Sequence, residues 1–164
     1  ILMGITVKEL NVKALAKERL GEALKELDVA EVFLDQGLVR NAAGKAFQAW
    51  KAFISYLALS NVELLREKYR GNKRIGSIII PMHEWVAAIA PTNRLTELSI
   101  ELERIVPGVV ELTTMALELH EYQYNGPDPE GIRSRIPNDE TAAALIRKLI
   151  ERTRELMSKM ATES

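Results

Sequence analysis

The chain contains no cysteine among its 164 residues, which excludes disulfides and thiolate metal sites and is in keeping with a cytoplasmic setting. Histidine is nearly as scarce. His83 and His120 are the only two, and neither sits in a His-x-x-x-His or Glu-x-x-His spacing, so no metal site is expected. Walker A loops, dinucleotide fingerprints, serine elbows and EF-hand loops are missing, so no cofactor is expected. "GNKRIG" has glycines but not the strand-to-helix setting of a phosphate loop. No apolar run approaches the roughly 18 residues that a membrane helix needs. "ILMGITV" is too short for a signal peptide and lacks its basic flank. The net charge of −1 gives no whole-molecule field toward nucleic acid or membrane, so any such binding needs a local patch. Aromatics are only 5% of the chain, so the core must be made of Leu, Ile, Val and Ala.

What is present is a globular composition. Apolar residues make up 47% and charged residues 27%, and the length suits a single domain over residues 1–164. "TVKELNVKALAKERLGEALKELDVAEVFLDQG" reads as one long helix. Thr6 and Glu9 form a capping-box pattern at its start, Leu20, Ala23, Leu24, Leu27, Ala30 and Leu34 recur at helical spacing, and Gly37 stops it. "RNAAGKAFQAWKAFISYLALS" is a second helix, apolar over most of its circumference. Phe47, Trp50, Ile54 and Leu57 should be buried, and Gly44, Lys45, Gln48 and Lys51 fall on a narrow polar strip. The short link through Gly37 makes these two an antiparallel hairpin.

Residues 62–69 extend that helix or add another, and Ser77 to Ile80 look extended before Pro81. "MHEWVAAIA" is a short helix ending ahead of Pro91. Thr92 is expected to cap a helix whose stripe is Leu95, Leu98, Leu102 and Ile105. "VVELTTMALELHEYQY" is the next helix and leaves through Asn125-Gly126. After the proline-bearing loop "PDPEGIRSRIP", Asn138 or Asp139 caps a last helix. The expected architecture is all-α, an up-and-down bundle of five to six helices with a long N-terminal hairpin.

Three groups of residues could carry chemistry. Arg66, Lys68, Arg70, Lys73 and Arg74 crowd one stretch. Against Glu63 and Glu67 they leave residues 61–80 at +3, with Tyr69 beside them, a composition suited to phosphate contact and base stacking as well as to a solvated loop. Arg40 and Lys45 lie on or beside the polar strip of the second helix. They suit either ion pairs with neighbouring helices or a ligand pocket between helices. His83 opens a short helix, where it caps the surface or lines a cleft. His120 and Tyr122, in "LHEYQYN", have the near-neutral acid/base character that catalysis uses, but Ala116, Leu117 and Tyr124 surround His120 with apolar groups. The economical occupant of that position is a neutral, hydrogen-bonded histidine at the core margin.

"FLDQGLVRNAAGKAFQAWKAFISYLA", with the later "LHEYQY", resembles the archaeal paREP family, part of the wider HEPN-like helical bundles (higher eukaryotes and prokaryotes nucleotide-binding). The similarity covers about residues 14–59. It implies an up-and-down bundle, often dimeric, that acts as a ribonuclease or as a binder of nucleotides or partners. The ribonuclease branch carries an arginine, four to six residues, then a histidine. This chain departs from that pattern. Met115, Thr114 and Thr113 stand at those places before His120, Ile78, Ser77 and Gly76 stand there before His83, and the nearest arginine upstream of His120 is Arg104.

The residues and the resemblance together predict a non-enzymatic HEPN-like homodimer that binds a nucleotide, nucleic acid or protein partner, with no membrane role. One alternative is a ribonuclease using His120 with an arginine from elsewhere, either Arg104 or one from a dimer partner. The other is a tetratricopeptide-like scaffold, against which stands the lack of a second matching hairpin.

Overall fold

In the computed structural model, which describes residues 6–163, the chain is an all-α bundle of six helices with a small sheet at one side. Residues 1–5, the start of the segment weighed as a signal peptide, lie outside the described residues. Helices α1 (Val12–Asp35) and α2 (Val39–Ser60) form the expected long hairpin. Its turn is a Schellman closure. Gly37, at φ +76°, donates to the Leu34 carbonyl, and Leu38 donates to that of Phe33.

α2 is the central helix. Phe47, Trp50, Ile54 and Leu57 are all buried, as its apolar circumference predicts. α5 (Val109–Asn125), α6 (Asp139–Glu163), α3 (Met82–Ile89) and α4 (Leu95–Leu102) all pack against it. Trp50 shows how polar groups are accommodated in this core. Its indole N–H donates to Thr113 Oγ1 at 2.8 Å, and Thr113 lies 2.6 Å from Ser99 Oγ. Ser99 spends its own proton on the Leu95 carbonyl, so the Thr113 hydroxyl is the donor between the two.

Several ends depart from the sequence reading. Thr6 and Glu9 form no capping box. Thr6–Val7 is strand β1, and α1 starts after Asn11, whose side chain accepts from the Ala14 N–H at 3.1 Å. β1 runs parallel to β3 (Ile78–Pro81), which pairs antiparallel with β2 (Asn72–Ile75), in the order β1-β3-β2. A tight turn at Gly76 (φ +59°) joins β2 to β3. Val62–Leu65 is a 3-10 turn and does not extend α2. Thr92 caps nothing; it opens a 3-10 turn, Thr92–Arg94, ahead of α4. Leu24 and Ile105, read as members of apolar stripes, are exposed. At α6 the cap is Asn138, which accepts from the Thr141 N–H at 2.8 Å. Among the described residues, no helix is long and apolar enough to cross a membrane.

Candidate functional site

The basic cluster is divided by the local fold. Along β2 alternate residues face opposite sides, so Lys73 turns inward and is half-buried while Arg74 turns out, its guanidinium donating to the Gly76 carbonyl at 3.1 Å. Arg66 is held away by a two-point pair with Glu63 at 2.9 and 3.0 Å. Lys68, Arg70 and Lys73 remain, and they share a cleft of about 640 Å³. Met82, Trp85 and Val86 of α3 form one wall, and Pro91, Asn93, Arg94 and Glu97 close the other side.

The elements that shape this cleft are held from behind. The last carbonyls of α3 are taken by Ser55, which donates to Ala87 at 2.7 Å, and by Arg19, which donates to Ala88 at 3.1 Å. At its other end Glu84 accepts the Leu10 N–H at 2.7 Å, tying the stretch after β1 to α3. Trp85 therefore stands on a helix fixed at both ends.

Within the cleft, the Lys73 ammonium sits 4.7 Å from the centre of the Trp85 ring, a cation–π arrangement. Lys68 is paired loosely with Glu101 at 3.6 Å, and Arg70 donates only its Nε, to the Glu67 carbonyl. Arg94 reaches both oxygens of Glu97 at 3.3 Å. Tyr69 is 7% exposed, and its hydroxyl makes no well-formed hydrogen bond. Burial, and then the neighbouring Glu97 carboxylate, push the phenol well above its usual range, so it is a proton donor. Glu97 is held below the usual carboxylate range by that phenol and by Arg94. Four cations thus line the cleft; Lys68 and Arg94 have the carboxylate partners Glu101 and Glu97, and Arg70 and Lys73 have no carboxylate partner among the described residues. The polar cleft between α1, α2 and α3 differs in its lining, where two cations, Arg19 and Lys51, stand with two carboxylates, Glu22 and Glu26.

The other sequence candidates do not join this cleft. Arg40 reaches across to α5 and donates to the carbonyls of Gln123 at 3.1 Å and Tyr124 at 2.7 Å, capping that helix. Lys45 pairs with Glu26 at 3.2 Å. His83 is buried rather than a surface cap, and its Nε2 has no hydrogen bond. His120 stacks on Phe47 at 4.0 Å and meets Tyr124 edge-on at 5.2 Å. Its Nδ1 is buried with no well-formed hydrogen bond, where a bonded imidazole was expected. Burial above all, with Lys51 adding repulsion, lowers its pKa, and the nearby Gln123 amide and Glu121 oppose the shift. Tyr122 is fully buried and donates to Asp139 at the start of α6.

Trp85, Arg94 and Glu97 carried no sign of a site in the sequence. They lie beyond two turns and a sheet, and only the return of the chain through β3 sets them opposite Lys73. Among the described residues no group of three His, Cys, Asp or Glu side chains could hold a metal ion. Comparison with curated proteins and with solved structures gives no match. The sequence model of the Archaeal PaREP1/PaREP8 family matches residues 18–147, and the chain belongs to that family.

Proposed function

We propose that the protein is a non-enzymatic HEPN-like module, a single domain, that binds nucleic acid or nucleotides through the cationic cleft beside α3. The observation carrying this reading is the convergence of Lys68, Arg70, Lys73 and Arg94 on one cleft with Trp85, whose ring lies against the Lys73 ammonium. Cations and a flat aromatic surface together suit a phosphate joined to a base. The state of "LHEYQYN" supports the absence of catalysis. The Tyr122 hydroxyl is committed to Asp139, and His120 is wedged against Phe47. Arg104, the nearest upstream arginine, is paired with Glu101 at 2.7 Å. His120 sits eleven residues into α5, on the order of 16 Å along the axis from its start.

The test is binding of labelled single-stranded RNA and of ATP at several salt concentrations. The parent protein binds at low salt. Lys68→Ala, Arg70→Ala and Lys73→Ala together lower the salt slope by up to about 0.7 for each single-strand phosphate that is no longer neutralised. An unchanged slope would move the site elsewhere, and no binding by the parent would remove the reading. In the same preparation, RNA cleavage that vanishes in a folded His120→Ala variant would replace it with the ribonuclease.

The same reading includes a cytoplasmic homodimer. An apolar groove of about 700 Å³ lined by Val12, Ala16, Leu20 and Leu59, with Leu64 exposed at its edge, supports self-association. Sedimentation across a wide concentration range should give twice the chain mass of 18.4 kDa, and a constant single-chain mass would exclude the dimer.

A further inference from the structure

We propose that the occupant of this cleft is one free nucleotide carrying two or more phosphates, its base laid on Trp85 after the Lys73 ammonium leaves the ring for the phosphates. This rests on the reading that the cleft binds nucleic-acid components, and narrows it to a single unit.

Four observations carry the inference. The volume of about 640 Å³ falls within the range, roughly 300–1,000 Å³, of sites that enclose small ligands. The cluster over residues 66–74 presents its charge mainly to the cleft. Lys68, Arg70 and Lys73 line it, whereas Arg66 is paired with Glu63 and Arg74 points away from it on β2. The ring of Trp85 carries the ammonium of a lysine on a long, flexible stem, an arrangement that a base can displace while the ammonium stays within reach of the same ligand. The Tyr69 hydroxyl, more than nine-tenths buried in the cleft wall, lies beside Glu97 without a well-formed hydrogen bond, so an acceptor on the ligand offers it a better partner.

The protein carries its own reporter. It has two tryptophans, and Trp50 is fully buried and bonded to Thr113, so a ligand-dependent change in emission belongs to Trp85. The full chain is titrated with ATP, GTP and UTP, with inorganic tripolyphosphate, and with an oligouridylate of about 20 nucleotides, longer than a single-strand site of one small module. A saturable emission change with at least one nucleotide is expected, at one per chain. Tripolyphosphate should compete without reproducing that change, and the oligonucleotide should bind no tighter than the nucleotide. By calorimetry, Trp85→Ala should weaken nucleotide binding by about 5- to 100-fold and leave tripolyphosphate unaffected. Trp85→Phe, which keeps an aromatic face, should recover most of that loss, and Lys73→Ala should weaken both ligands. If the oligonucleotide binds and millimolar nucleotide neither binds nor competes, the free-nucleotide inference is overturned while the phosphate-binding cleft stands. Equal loss of nucleotide and tripolyphosphate in both Trp85 variants would overturn the stacking role. If none of the ligands binds, both readings fall.

Discussion

The seam between α2 and α5 and the cleft beside α3 both hold polar atoms away from water, and they treat them differently. In the seam, Trp50, Thr113, Ser99 and the Leu95 carbonyl form a directed chain in which each proton has one acceptor. Tyr122 closes onto Asp139, and Arg40 covers the last carbonyls of α5. The unpaired atoms there, His120 Nδ1 and Gln123 Oε1, lie toward the end marked by the exposed Tyr124. In the cleft the cations outnumber the carboxylates, a lysine rests on a tryptophan face, and a buried phenol lacks a well-formed bond. The Trp50 part of the seam, whose polar groups satisfy one another, holds the fold together; the cleft, whose cations are left in surplus, is free to meet something else.

That contrast can be broken most forcefully at Trp50. Trp50→Ala should cost roughly 3–5 kcal/mol, because it empties the largest fully buried side chain and leaves Thr113 without its donor. The denaturation midpoint measures this, and a loss under about 1 kcal/mol would show that the seam is not the stabilising region. Tyr122→Phe keeps the ring and removes only the bond to Asp139, so about 1–2 kcal/mol should be lost, read the same way.

His120→Ala should cost about 1–2 kcal/mol through its stacking on Phe47 and Tyr124. Its pH dependence sharpens the comparison. Burial lowers the folded pKa below the ordinary value near 6.5, so the unfolded chain binds more protons between the two values. The stabilising contribution is complete above about pH 6.5, falls as the pH drops below it, and levels off under the folded pKa. Urea unfolding of the parent should show that decline, and His120→Phe should lack it. A variant with the parent's full pH slope would mean His120 does not titrate as its position requires.

The smallest effect belongs to the cleft. Lys68→Ala and Arg70→Ala should each change stability by no more than about 0.5 kcal/mol, and Lys73→Ala, which also loses its contact with Trp85, by no more than about 1 kcal/mol. A thermal scan that shows large destabilisation would make these residues part of the scaffold, and the distinction between seam and cleft would collapse.

Amino-acid order alone was sufficient for the six helices, the hairpin through Gly37 and the burial of Phe47 and Trp50. Helical periodicity and turn chemistry are local, and each is carried by residues within a few positions of one another. The basic cluster was legible for the same reason. Tertiary structure alone decided that Thr6–Val7 would be a strand, because its partner Ile78–Ile79 lies far along the chain and the pairing satisfies backbone groups that a first helical turn would otherwise have used. It decided likewise that Lys73 faces Trp85 while Arg74 does not, and that Arg40 serves the end of α5. These outcomes depend on which surfaces meet after the helices pack, and the direction of a side chain across a gap is a property of two elements that neither encodes by itself.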